Sequence, residues 1–282
     1  MTLDRRPALP APLYALGAIA SVQLGATVAR RLFPYLGPTA TVFVRVGFGA
    51  LILLAIARPG LRRLSAAQWR QVVPFGLIIA GMNLCFYQSI ARIPLGIAVT
   101  IEFLGPLGVA IAGSRKARDF VWAAMAAAGV AMLSLTGGSV TPLGVLFALG
   151  AAAGWASYIV LGQRVGRLVA GPDGLALALT VVGLALAPFG IAAAGTRLLD
   201  VRNLGLGLVV AILSSAIPFS LEFAALRRLS SHVFGILMSL EPAVGATAGF
   251  LFLSQRLSLR DLLAIALVSV ASAAATLTSR HV

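Results

Sequence analysis

The chain has 282 residues, of which 60% are hydrophobic and 11% charged. A soluble domain carries about a quarter charged residues, so there is too little polar surface here to coat a water-soluble globule. The net charge of +14 comes from basic residues in the short gaps between apolar runs. They form neither a stripe nor a tail, which argues for loop charges that set membrane topology and against a nucleic-acid surface.

Ten apolar stretches follow one another, at roughly 13–29, 39–57, 72–91, 95–113, 119–136, 142–162, 174–194, 204–225, 232–252 and 260–278. Most approach the about 20 residues needed to cross hydrocarbon as a helix. The opening MTLDRRPALPAPLYALGAIAS has the basic start of a signal peptide, but its apolar run continues to about Ala29. That predicts an uncleaved first span. Breakers separate the stretches, as in FPYLGP, RIP, GPDG and SSH, and small residues crowd them, as in AAMAAAGVAM. Small residues let helix backbones approach closely in lipid. The expected fold class is an all-α polytopic membrane protein of ten helices. One side of the membrane collects fourteen Lys and Arg and the other seven, which places both termini in the cytoplasm of a bacterial-type inner membrane.

The chain also repeats itself. LGAIASVQLG (16–25) aligns with LGAAAGWASY (149–158), and RIPLGIAVTIEFLGPLGVAIAG (92–113) with RLSSHVFGILMSLEPAVGATAG (228–249). The offsets are 133 and 136 residues, and Pro106 meets Pro242. Five spans per unit is an odd number, so the second unit, 138–282, is inverted relative to the first, 1–137. Prolines interrupting corresponding helices mark a transporter's site at the interface of its repeats.

Polar residues inside the stretches are the candidate site residues. In chain order they are Gln23, Arg45, Asn83, Tyr87, Glu102, Trp155, Tyr158, Glu222 and Glu241. Glu102 lies about 10 Å deep, counting about 1.5 Å of rise per residue from Leu95. A carboxylate there costs at least about 2.5–3.5 kcal/mol by insertion scales, so it faces protein or a water-filled cavity. It binds a substrate ammonium, carries a coupling proton, or pairs with Arg45, which counts to a similar depth. Glu241, beside Pro242, sits near the midplane with the same choice of roles. Glu222 precedes Arg227 and Arg228, and pairing with them at the interface is the plainer reading. Asn83 and Tyr87 are one turn apart on a shared face. Cys85, the single cysteine, packs. His232 and His281 stand apart from any metal or catalytic cluster, and no GxSxG, HExxH or Walker loop occurs. No enzyme activity, cofactor, metal or nucleic-acid partner is expected, and the oligomeric state is left open.

The stretches GMNLCFYQSI, RIPLGIAVTIEFLGPLGVAI, DFVWAAMAAAGVAML, GWASYIVLGQRVG, AILSSAIPFSLEFAALRRL and FGILMSLEPAVGATAGFLFL closely resemble the threonine/homoserine exporter branch of the drug/metabolite transporter superfamily. The resemblance covers nearly the whole chain. It implies two inverted EamA-type repeats and export of small neutral amino acids from the cytoplasm by proton antiport. It also implies that Arg45, Asn83, Tyr87, Glu102, Trp155, Glu222 and Glu241 occupy motif-bearing sites. A rival reading within that superfamily is export of other metabolites or cationic drugs. A rival outside it is a non-transporting receptor or scaffold.

Overall fold

The 47 residues of Ala11–Ala57 (α1) would, as one straight helix, reach about 70 Å at 1.5 Å per residue. That is more than twice the hydrocarbon thickness. The run is broken at Gly37, whose φ of 70° and ψ of 166° suit a residue without a Cβ, and prolines flank the break at 34 and 38. Gln23 and Arg45, on opposite arms, line one cavity. A straight helix would hold them about 33 Å apart. The chain therefore doubles back at Gly37, within the FPYLGP segment that separates the first two apolar stretches.

The computed structural model describes residues 10–57, 65–112, 117–134, 140–169, 173–226, 228–229 and 231–278. After α1 come α2 (Ala66–Ile90), α3 (Leu95–Glu102), α4 (Leu104–Ala112), α5 (Ala117–Ser134), α6 (Pro142–Leu168) and α7 (Asp173–Ala194). A 3₁₀ turn over Gly195–Leu199 leads to α8 (Val201–Ala211), and a wider, π-type turn over Ile212–Ala216 leads to α9 (Ile217–Leu226). The chain ends in α10 (Ser231–Met238), α11 (Glu241–Leu253) and α12 (Leu259–Thr278). Among the described residues there is no strand. Seven helical stretches are long and apolar enough to cross a membrane, and two shorter apolar ones lie over Leu95–Val109 and Phe120–Leu133. Several of the basic loop residues, among them Arg62, Arg63, Lys116 and Arg227, lie outside the described residues.

Local chemistry explains where the helices start and stop. Ser65 and Gln68 form a reciprocal capping box at α2, Thr141 caps α6 ahead of Pro142, and the Asp200 carboxylate accepts from the Arg202 and Asn203 amides of α8. Each satisfies orphan N–H groups of a first turn. Pro106 has no N–H to give the Glu102 carbonyl four residues back, and α3 stops at Glu102. Pro242 deprives the Met238 carbonyl in the same way, and α10 stops at Met238. Both expected helix breaks are present.

The two halves of the sequence interleave. In the packed bundle α1 lies against α7 and α8, α2 against α6, α3 against α11 and α5 against α12. The α3–α11 crossing is tight. A Cβ at Gly96 would come within 2.6 Å of the Ala246 Cα, so glycine is required for that approach. Large apolar side chains such as Phe120, Leu184 and Phe250 point outward, as lipid requires and water would not. At one end of the bundle, side chains reach backbone across elements. Arg30 donates to the Ile93 carbonyl at 3.1 Å, Arg31 to the Phe252 carbonyl at 3.4 Å, and the Gln255 side-chain carbonyl accepts from the Leu95 amide at 3.0 Å. Buried Ile93, Leu95 and Ile97 lie along the chain between these bonds and the cavity-lining Val99.

Gly96→Val is expected to lower the thermal unfolding temperature of the purified protein, because overpacking at a tight crossing costs about 1–3 kcal/mol. Gly108→Ala, where a Cβ meets no atom within 4 Å, should leave it unchanged in the same thermal-shift assay.

Candidate functional site: a polar cavity inside the bundle

Apolar helices can bury Leu and Ala at little cost, but each buried donor or acceptor must find a partner. In this bundle the polar side chains gather around one cavity of about 140 Å³. Gln23 and Arg45 reach it from the two arms of α1, Asn83 and Tyr87 from α2, and Glu102 from the end of α3. Trp155 of α6, Ser214 of the π-type turn and Glu241 at the start of α11 complete the polar lining. Apolar wall comes from Val22, Ala26 and Val99 among others. Both carboxylates sit where a proline interrupts the helix, Glu102 ending α3 and Glu241 beginning α11.

Arg45 organises the cavity. Its NH1 donates to Asn83 Oδ1 at 2.6 Å and its NH2 to the Ser214 carbonyl at 3.4 Å. The guanidinium lies 5.5 Å from the centroid of the Tyr87 ring, within cation–π range. Asn83 is itself oriented by donating to the Ile79 carbonyl at 2.9 Å. Ser214 can accept because Pro218, four residues on, has no N–H to occupy its carbonyl. The neighbouring Leu213 carbonyl is likewise turned outward and accepts from Ser21 at 2.7 Å. The Arg45–Glu102 pair, one of three roles open to Glu102 from sequence, is not formed. Among the described residues Glu102 makes no hydrogen bond or ion pair, and its side chain faces the cavity.

Glu241 is 8% exposed and Gln23 1%, and Gln23 Nε2 donates to Glu241 Oε1 at 3.3 Å. The other oxygen, Glu241 Oε2, has no partner among the described residues, and neither do Gln23 Oε1 and Arg45 Nε. Leaving buried polar atoms unpaired costs about 1–3 kcal/mol each, more when charged. Three such atoms, from one arginine, one glutamine and one glutamate, belong to residues that line this cavity.

Two sequence candidates stand elsewhere. Tyr158 stacks on Phe75 at 5.3 Å and 18° and is not among the residues lining this cavity. Glu222 does not pair with Arg228, which instead donates to the Tyr14 hydroxyl at 3.1 Å and lies over its ring. Arg227, the other expected partner, lies outside the described residues. Glu222 lines a second cavity beyond Trp155. Sequence reasoning missed Ser214, which acts through its backbone. The signal was available in SSAIP, where a proline four residues after a serine frees that carbonyl.

A helical bundle too apolar for water, enclosing a charged cavity, defines a multi-pass membrane protein with an internal polar site. The chain belongs to the EamA-like transporter family, whose family model matches it twice, over residues 9–137 and 142–277. It is 43% identical to the threonine/homoserine exporter RhtA of Escherichia coli (strain K12) over 268 residues, covering 94% of this chain and 90% of that protein. It is 41% identical to the protein of the same name from Salmonella typhimurium (strain LT2) over 272 residues, covering 95% and 92%. A solved crystal structure shares the fold with a TM-score of 0.62 at 20% identity, covering 96% of this chain and 97% of the other.

The cavity predicts reagent access. In a Cys85→Ala background, Met82→Cys lines the cavity and should react with a small methanethiosulfonate at least tenfold faster than Ala80→Cys, which is buried in the apolar core. Equal rates would mean that water does not reach the cavity.

Proposed function

We propose that this protein exports small neutral amino acids of the threonine/homoserine type from the cytoplasm, exchanging them for protons. The observation that carries the reading is the pairing of orphans in one cavity, Arg45 Nε with Glu241 Oε2, beside the free carboxylate of Glu102. An amino-acid zwitterion supplies a carboxylate for the arginine and an ammonium for a glutamate. Asn83, Tyr87 and Gln23 hold those charges in place, and Trp155 closes one wall. The about 140 Å³ cavity is well below the about 300–1,000 Å³ of pockets for drug-sized ligands, which favours a small metabolite over a bulky drug. The names of the 41–43% identical relatives point to the same cargo.

Charge balance supports proton exchange. With Arg45, Glu102 and Glu241 all ionised, the cavity carries one excess negative charge, and a zwitterion does not change it. A proton taken up on one glutamate neutralises the cavity and weakens its hold on the ammonium, so protonation and cargo release are linked. The two halves, 1–137 and 138–282, act as inverted repeats of five spans each that rock against one another. Two matches of one family model and the paired breaks at Pro106 and Pro242 support this division. Both termini then face the cytoplasm, following the loop charges.

The test is efflux of labelled threonine and homoserine from cells expressing the chain, with the proton gradient intact or collapsed. Arg45→Gln, Glu102→Gln and Glu241→Gln should each cut efflux at least tenfold at matched membrane expression, and collapse of the gradient should do the same to the wild type. Arg45→Lys should not rescue, because a point charge cannot serve two acceptors and a ring at once. Well-expressed wild type that exports neither compound refutes the cargo. Efflux indifferent to the gradient refutes proton exchange.

A further inference from the structure

Beyond Trp155 lies a second cavity of about 300 Å³, bounded by α4, α6, α9, α10 and α12. Trp155 lines both cavities and meets Phe103 edge-on at 5.5 Å and 89°, so an aromatic pair stands between them. The chemistry of the second chamber differs from that of the first. Among the described residues its one charged lining residue is Glu222, and no basic residue lines it. Among the described residues Glu222 makes no hydrogen bond or ion pair, although a carboxylate within a membrane-spanning helix is costly unless it has a partner or water. The remaining walls are aromatic and aliphatic, with Phe103, Phe234 and Met238 prominent, and the Ser272 and Thr276 residues add polar atoms.

We infer that this chamber is a binding site for lipophilic amines, organic monocations with an apolar body and no carboxylate of their own. The ammonium pairs with Glu222, and the rings of Phe103, Phe234 and Trp155 take the apolar body and offer cation–π faces. A zwitterion is disfavoured, because its carboxylate would enter a chamber that has a glutamate and, among the described residues, no cation to answer it. The first cavity has the opposite logic, with Arg45 present and less than half the volume. The assignment stands on the second chamber alone and does not depend on amino-acid export being correct.

The experiment is equilibrium binding of labelled phenylethylamine to the purified full-length protein in lipid nanodiscs, with phenylalanine as the competitor that differs by one carboxylate. Saturable binding should weaken at least fivefold in Glu222→Gln and be unchanged in Arg45→Gln. Phenylalanine should compete at least tenfold less well than unlabelled phenylethylamine. Phe234→Leu keeps the wall apolar but removes a ring and should also weaken binding, guarding against a Glu222 variant that misfolds; gel-filtration profile and thermal midpoint check both variants. No saturable binding to folded wild type overturns the assignment. So does binding that falls less than fivefold in folded Glu222→Gln, that is lost in Arg45→Gln, or that phenylalanine displaces as well as the amine does. Threonine efflux plays no part in these readouts, so failure of the export reading would leave them intact.

Discussion

A guanidinium held inside a membrane-spanning bundle must be answered by acceptors, and the geometry around Arg45 follows from that demand. Arginine keeps its charge at any accessible pH, so the surrounding helices have to supply oxygens. Asn83 gives a side-chain carbonyl, itself pinned to its own helix. The α8–α9 junction gives a backbone carbonyl by loosening into a π-type turn, a device often found at functional sites. A proline four residues later makes the loosening permanent. The guanidinium is thus fixed by two of its nitrogens, while Nε has no partner among the described residues.

The interleaving of the halves turns this local solution into a shared one. Arg45, Asn83 and Glu102 come from the first half of the chain, whereas Ser214, Trp155 and Glu241 come from the second. Neither half contains a complete polar site. Because α3 crosses α11 at a glycine and both helices carry a break beside a carboxylate, a shift of one half against the other would move Glu241 relative to Arg45 and Glu102. Packing and electrostatics are therefore coupled at the same residues.

Much of this was legible in the sequence, for a physical reason. In an apolar chain each intramembrane charge or amide is expensive enough to need a purpose, so Arg45, Asn83, Glu102, Gln23 and Glu241 stood out and converge on one cavity. The two helix breaks were legible because proline removes a specific hydrogen bond. Tyr158 lies outside that cavity and stacks on Phe75; a tyrosine stacked on phenylalanine and one lining a cavity look alike along a helix. Glu222 was read by its nearest neighbours in sequence, while the fold turns Arg228 toward Tyr14 from the distant first helix. Ser214 contributes only a backbone carbonyl, which no side-chain inventory records, and Val22, Ala26 and Val99 are indistinguishable in sequence from the many identical residues that merely pack.

The end of the bundle where Arg30, Arg31 and Gln255 reach across to neighbouring backbone has a consequence for how the molecule works as a machine. None of these bonds joins two side chains; each uses a main-chain group on one side. Such a fastening ignores the identity of the residue it grips and yields at a cost of about 0.5–3 kcal/mol per bond. Three of them sum to the few kcal/mol that separate accessible conformational states of a protein. That end is buttoned rather than welded: each fastening is weak by itself and grips main chain that any residue would offer.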